Sequence, residues 1–363
     1  MSRQANELDE KQRRAIETIL LAYRDQIRAN IEVVLRTHVP SIDSQSIIGV
    51  LKHSGAGGTT YILQAEFVTG SRTIQGGIVV KFANELEEDV RNATELMKIL
   101  KAREVEWRSN PPQKPLPDWM PPSVFSPKVL GTHPSRKVII LEFVGGGIPL
   151  LKIDWSNEKK YKALGYALGR LHGTTAYPTA MVLYEPMFRL LEAYMPSHTE
   201  CLQFWKRVIA NSRGGCEFIH GDSHLENLMY SSTSNALAWI DALLVPRGDR
   251  MDDVTYAISH IIQEDVIHML TENPNTSSKV ILSTVLRNAA QSIVPHVLST
   301  YMRTANLKGL YDTVIPVDFF LGSHLIIRSQ LFGNSKVANI LTTMGTEFIT
   351  ERPLGKLLGL ERS

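Results

Sequence analysis

FIHGDSHLENLMY, residues 218–230, places His220, Asp222 and Asn227 between apolar flanks where a buried strand is otherwise expected. A polar group buried without partners costs a few kcal/mol. Three of them so close together call for a compensating purpose. The plainest account is a capped turn, in which Asp222 or Asn227 bonds its own backbone. The rest of the chain decides whether that is enough.

The chain has 363 residues and is 43% apolar, sufficient for one large domain or two lobes. Its formal charge of +2 singles out no strongly charged partner. There is no long Lys/Arg run and no interleaved aromatic pattern, so no nucleic acid is expected. Cys201 and Cys216 lack metal-ligand spacing, and a reduced, cytoplasmic protein is expected. The N-terminal stretch is too charged for a signal peptide. Its Ile16, Ile19, Leu20, Tyr23 and Ile27 follow helical spacing and predict an amphipathic helix. No apolar run reaches the roughly 20 residues of a membrane-spanning helix, so no integral membrane segment is expected. The sequence fixes no oligomeric state.

Strand patterns run through SIIGVLKH (46–53), TYILQAEFV (60–68) and IQGGIVVKF (74–82), the first two joined by a turn containing Gly55, Gly57 and Gly58. Residues 86–104 have helical spacing. The prolines of 108–127 predict a surface insertion or loop. Two more strands follow, KVLGTH (128–133) and KVIILEFV (137–144). Glycines 145–147 mark a hinge. Beyond it the pattern is mainly helical: a helix ending at Gly173, helices across 185–212, a strand-turn-strand at 228–241, and helices from 251 onward with breaks at ENPN and NLKG. The division is therefore 1–144, β-rich, and 145–363, mainly helical.

The spacing of His220, Asp222 and Asn227 is similar to the catalytic loop of protein kinases, His-x-Asp-x-x-x-x-Asn. Asp241 ends a strand fourteen residues past Asn227, where such proteins place a second metal-binding Asp. Lys81 ends an apolar strand, as their phosphate-binding lysine does. The glycine turn lets backbone N–H groups approach phosphates with no Cβ in the way. Taken singly, a glycine turn or a strand-end lysine is commonplace. The ordered set, on the expected elements, argues against the capped-turn account.

At these residues the chain resembles the aminoglycoside phosphotransferase/choline kinase-like family, a branch of the protein-kinase-like fold. HGDSHLEN, WIDA and GDRMDD carry its pattern; SPKVLG, LEFVGGGIPL and ALGRLHG resemble its fourth-strand entry, hinge and following helix. The resemblance covers about residues 45–260. It implies an α+β, two-lobed protein-kinase-like fold and an ATP- and Mg²⁺-dependent kinase acting on a small-molecule hydroxyl substrate. Asp222 would be the catalytic base, and Asn227 and Asp241 the Mg²⁺ ligands. Lys81 and the glycines Gly55, Gly57 and Gly58 would bind phosphate, and the backbone of Glu142–Val144 would hold adenine. Asp249 and Asp253 would tie the later segment to the catalytic loop. His220 would be scaffold, and His224 either lines the cleft or braces the loop. The family pairs its lysine with a Glu on the next helix; Ala93 stands at the usual place, and Glu95 is the nearest candidate.

No Ala-Pro-Glu follows Asp241, which favours a small acceptor over a peptide. A nucleotide-binding regulator without turnover and an atypical protein kinase are the alternatives. Gly-x-Ser-x-Gly is absent, and no glycine turn ends in Gly-Lys-Ser/Thr. Among residues 255–363, Glu264, Asp265 and Glu272 are balanced by Arg287, Arg303 and Arg328, which argues against a polycationic antibiotic as acceptor. Trp205, Tyr256 and Phe319 could form a cage for a quaternary amine, although aromatics at helical spacing usually belong to a core.

Overall fold

The structure, a computed structural model, describes residues 47–55, 58–69, 72–83, 85–109, 116–133, 137–305 and 316–354. The predicted N-terminal helix lies outside the described residues. The architecture is mixed α+β.

Strands β1 (Ile47–Gly55), β2 (Gly58–Thr69) and β3 (Arg72–Phe82) form an antiparallel meander. With β5 (Val129–His133) and β6 (Val138–Glu142) they make one sheet in the order β1-β2-β3-β6-β5. Helix α1 (Leu86–Ser109) buries Asn92, Leu96, Ile99 and Leu100, an i, i+4, i+7, i+8 stripe. The acids Glu87, Glu88 and Asp89 occupy its first turn, where the helix dipole favours negative charge.

A second sheet has the order β4-β10-β9-β7, from Ser123–Phe125, Ala236–Trp239, Leu228–Ser231 and Gly147–Pro149. The proline-rich stretch thus contains a strand. Ser123–Phe125 pairs parallel with Ala236–Ala238 and buries Val124. Pro121, Pro122 and Pro127 flank these three residues rather than interrupt them, which is why proline does not prevent the pairing. Two-residue strands β8 (Phe218–Ile219) and β11 (Val245–Pro246) pair on either side of the catalytic segment. They are too short to show an alternating pattern.

The remaining chain is helical. Helix α2 (Asn157–His172) is buried on nearly every side from Tyr161 onward, with Ser156 capping its start and Gly173 its end. It is followed by α3 (Glu185–Tyr194), α4 (Thr199–Ala210), α5 (Arg250–Glu272), α6 (Ser278–Asn288), α7 (Val294–Thr304), α8 (Val317–Ser329) and α9 (Lys336–Glu351). Trp205, Trp239, Tyr166, Phe188, Phe319 and Phe348 are core side chains, at most 1% exposed. No described helix is long and apolar enough to cross a membrane.

Helices α8 and α9 meet backbone to backbone at Gly322 and Gly345. A Cβ on either would lie 2.5 Å from the other's carbonyl oxygen. Gly345→Val is therefore expected to destabilise the protein by about 1–3 kcal/mol, read as a lowered midpoint in reversible denaturant unfolding. An unchanged midpoint would mean that the helices do not depend on this approach.

Candidate active site

The catalytic segment leaves β8 and turns at Gly221, whose φ of +79° suits glycine. Two of its successive backbone N–H groups are satisfied from outside the segment. The Asp253 carboxylate, 1% exposed, accepts from the backbone N–H groups of His220 (2.6 Å) and Gly221 (2.9 Å). It also lies 3.0 Å from His172 Nε2, and Ser223 Oγ donates to the Asp253 carbonyl at 2.7 Å. Burial works against ionising Asp253, but the His172 hydrogen bond and the other donors hold its pKa below the usual range. His172 is kept neutral by burial. It therefore donates from Nε2 to Asp253, while its Nδ1 accepts from Tyr301 at 3.0 Å.

His220 is fully buried, and burial lowers its pKa. Its Nδ1 accepts from the Asp222 N–H at 3.3 Å and its ring packs on Trp239 at 4.7 Å. It braces the loop through Nδ1, and its buried Nε2 has no hydrogen-bond partner. Asp249 works elsewhere: it caps α5 through Met251 N and accepts from Thr179 and Ser212.

Asp222 stands at the surface of this brace. Asn227 Nδ2 donates to its Oδ2 at 2.8 Å and to its backbone carbonyl at 2.9 Å. Tyr256, from the second turn of α5, donates to its Oδ1 at 2.7 Å. His224 Nδ1 accepts from Glu226 N–H at 3.3 Å, which leaves Nε2 to face Asp222 Oδ2 at 3.6 Å. Burial raises the pKa of Asp222, but the neighbouring His224 imidazole and the Tyr256 hydrogen bond outweigh it and bring the value to about 2. Asp222 is therefore an anion throughout the neutral range and a weak base. Because this pKa is depressed on folding, its contribution to stability is present above the ordinary carboxylate range and is lost as pH falls through about 2.

With the Asn227 NH₂ turned to Asp222, its amide oxygen points to the opposite side. The Asn227 backbone carbonyl accepts from Ile240 N–H at 2.9 Å, which sets the end of β10 beside it. Asp241 follows with a φ of +55°, an uncommon conformation for a non-glycine residue. Its Oδ1 lies 2.9 Å from Lys81 Nζ, and the side chain is 44% exposed. Lys81 sits in β3 opposite Thr60 and Ile139. It also reaches Asp89 at 3.4 Å. Burial lowers the Lys81 pKa, but Asp241 and then Asp89 raise it by more, so it stays charged.

Glu95 is not the partner of Lys81. It pairs with Lys98 at 3.1 Å on the outward side of α1. Six residues of helix separate it from Asp89, about 240° of rotation, which carries its side chain away from the sheet. Asp89 takes the lysine instead. Ala93, one turn further along the same face, lines with Leu96, Ile139 and Leu141 the apolar part of a pocket that also takes in Lys81, Asp89 and Asp241.

Gly55 and Gly58 face each other at the tip of the β1–β2 hairpin, at the end of the sheet that carries Lys81; Gly57 lies outside the described residues. Near the chain break, Glu142 N–H donates to Lys128 O, and Val144 O accepts from Gly147 N–H. Val144 N–H stands outside those bonds. Val144 itself is buried.

Trp205, Tyr256 and Phe319 form no cage, and the core reading holds for two of them. Trp205 is 1% exposed with its indole N–H on Ile349 O, and Phe319 stacks on Phe188 at 4.8 Å. Both are core. Tyr256 belongs to the Asp222 site, a role its sequence position gave no sign of.

The oxygen donors left available, the Asn227 amide oxygen and the exposed Asp241 carboxylate, are hard ligands that fit Mg²⁺. No protein-family model matches the chain, and no curated protein matches it. Among solved structures, a Plasmodium vivax ethanolamine kinase is similar over 99% of this chain and 98% of its own, at 13% identity and a TM-score of 0.42. A macrolide 2'-phosphotransferase type I is similar over 87% of this chain and 95% of its own, at 11% identity and a TM-score of 0.30. Residues 220–253 resemble the pattern of the aminoglycoside phosphotransferase/choline kinase-like family.

Removing the Tyr256 hydroxyl takes one donor from Asp222. In Tyr256→Phe the Asp222 carboxyl pKa is expected to rise from about 2 towards the ordinary range. Carboxyl-carbon NMR titration reads it directly, and an unmoved midpoint would show that the phenol does not hold the carboxylate.

Proposed function

We propose that this protein is an ATP- and Mg²⁺-dependent phosphotransferase that moves the γ-phosphoryl group to a hydroxyl of a small molecule. The observation that carries the reading is the ion pair between Lys81 and Asp241, 160 residues apart, beside the Asp222–Asn227 pair. It joins a phosphate-binding cation, metal-ligand oxygens and a base in one cleft. In this reading residues 1–144 form a nucleotide-binding lobe and 145–363 a catalytic lobe of a two-lobed kinase-like fold.

Lys81 neutralises charge on the α/β-phosphates, and Gly55 and Gly58 leave backbone N–H groups free of a Cβ for phosphate binding. Adenine is held by the backbone at Glu142 and Val144. Bound Mg²⁺, held by Asn227 and Asp241, supplies charge neutralisation at the phosphates. Asp89 keeps Lys81 extended towards Asp241. Asp222 receives the acceptor hydroxyl where Tyr256 now donates. With a pKa of about 2 it orients that hydroxyl and takes its proton late, when bonding to the phosphoryl group has made it acidic.

A small acceptor is favoured over a peptide by the chain's course. After Asp241 it passes through Val245–Pro246 straight into α5 at Arg250, without a long intervening segment.

ADP release from MgATP over a library of hydroxyl compounds tests the reading, with Asp222→Asn as blank. Asp222→Asn is expected to lower kcat by about 10²–10⁴ while leaving MgATP affinity nearly unchanged. Asp241→Ala is expected to abolish productive MgATP binding. Equal loss of nucleotide by both folded variants would overturn the division of roles. Tight ATP binding with no transfer to any compound would favour a nucleotide-sensing protein.

A further inference from the structure

Helices α5 and α8 turn a polar stripe towards Asp222. On α5, Tyr256, Ser259, His260 and Gln263 share one face at i, i+3, i+4 and i+7. On α8, His324 and Arg328 share another at i, i+4. The His324 ring is taken by Asp252, at 2.7 Å. Arg328 is different. It is 8% exposed, donates from Nε to Ser259 Oγ at 2.9 Å and from Nη1 to Gln263 Oε1 at 3.3 Å, and has no partner at Nη2. Its guanidinium lies 4.5 Å over the Tyr256 ring. All these partners are neutral, and among the described residues no carboxylate forms an ion pair with it. Glu264 and Asp222 act on it only through space; Glu264 itself accepts from Gln263 at 3.4 Å. A guanidinium is always protonated, and a buried cation without a counter-ion is costly. A second buried nitrogen on the same stripe, His260 Nδ1, is also without a partner. The His260 ring stacks on His224 at 4.8 Å, next to Asp222.

Tyr256 links these facts. Its hydroxyl occupies Asp222 Oδ1, where an acceptor hydroxyl would bind, and its ring covers one face of Arg328. An acceptor that displaces the phenol from Asp222 also uncovers the guanidinium.

We infer that the acceptor carries an anionic group, a carboxylate or a phosphate, close to the hydroxyl that Asp222 receives, and that Arg328 recognises it. The inference rests on the phosphotransferase reading above. A planar fork with a spare Nη2 suits bidentate pairing with either anion. A quaternary amine or a polycation would instead meet an unpaired positive charge.

The test is ADP release from MgATP with acceptors matched in size and differing in charge: glycerate against glycerol, glucose 6-phosphate against glucose, and choline, ethanolamine and kanamycin as cations. The wild-type protein is expected to use at least one anionic member with kcat/KM about 10- to 100-fold above its neutral counterpart. Which pair responds distinguishes a carboxylate from a phosphate. Arg328→Gln is expected to collapse that ratio towards one, mainly through KM, with MgATP affinity held. The wild-type comparison needs no variant, so it decides even if Arg328→Gln does not fold. A neutral or cationic acceptor preferred by the wild-type protein would overturn the inference and leave a phosphotransferase standing. A ratio that survives Arg328→Gln would overturn the role of Arg328. Turnover of no member above the Asp222→Asn blank, with MgATP bound, would sink the inference together with the reading it rests on.

Discussion

A carboxylate almost shut off from water, Asp253, holds the catalytic segment in place. It fixes two successive backbone N–H groups, at His220 and Gly221, and is itself braced by a neutral His172. An ion buried this deeply persists only when its lone pairs are filled. The requirement runs both ways: the loop needs the carboxylate for its N–H groups, and the carboxylate needs the loop. Asp222 takes its position from that exchange, because its own N–H rests on the imidazole of His220. The chemistry at the surface is thus set by a closed network beneath it, linking α2, α5 and the loop.

The Lys81 side of the cleft is built with less redundancy. Lys81 is held between two carboxylates, one on α1 and one at the end of β10. A short Asp at the start of the helix does what a longer Glu could do one turn later. Ala93 then leaves an apolar hollow beside the lysine. The geometry of the cation is kept while the wall behind it changes.

Local features were legible in the sequence. The spacing of His220, Asp222 and Asn227 lies within one segment, and the strands of the meander carry their own turn signals. Helix α2 announced itself by period and by its closing glycine. What escaped reading was set by long-range contact. Ser123–Phe125 is a strand only because Ala236–Ala238 offers it an edge. Choosing between Asp89 and Glu95 requires the phase of α1 against the sheet, which an alternation of charges along the helix does not reveal. Tyr256 and Arg328 look like ordinary members of amphipathic helices. Only the packing of α5 on α8 stacks one over the other beside Asp222. The aromatic cage failed for the opposite reason, since Trp205 and Phe319 are held by the core.

On α8 the glycine contact with α9 lies about half a turn before His324 and under two turns before Arg328, and the atoms nearest to it belong to α8 and α9. It sets the depth at which α8 sits, and so the distance of Arg328 from Asp222. If Arg328 reads the acceptor as proposed, substrate range drifts through changes at positions that the acceptor does not touch. On that reading a change of acceptor has a route through Gly322 and Gly345, where an added methyl group meets a backbone carbonyl at 2.5 Å and must shift one helix against the other.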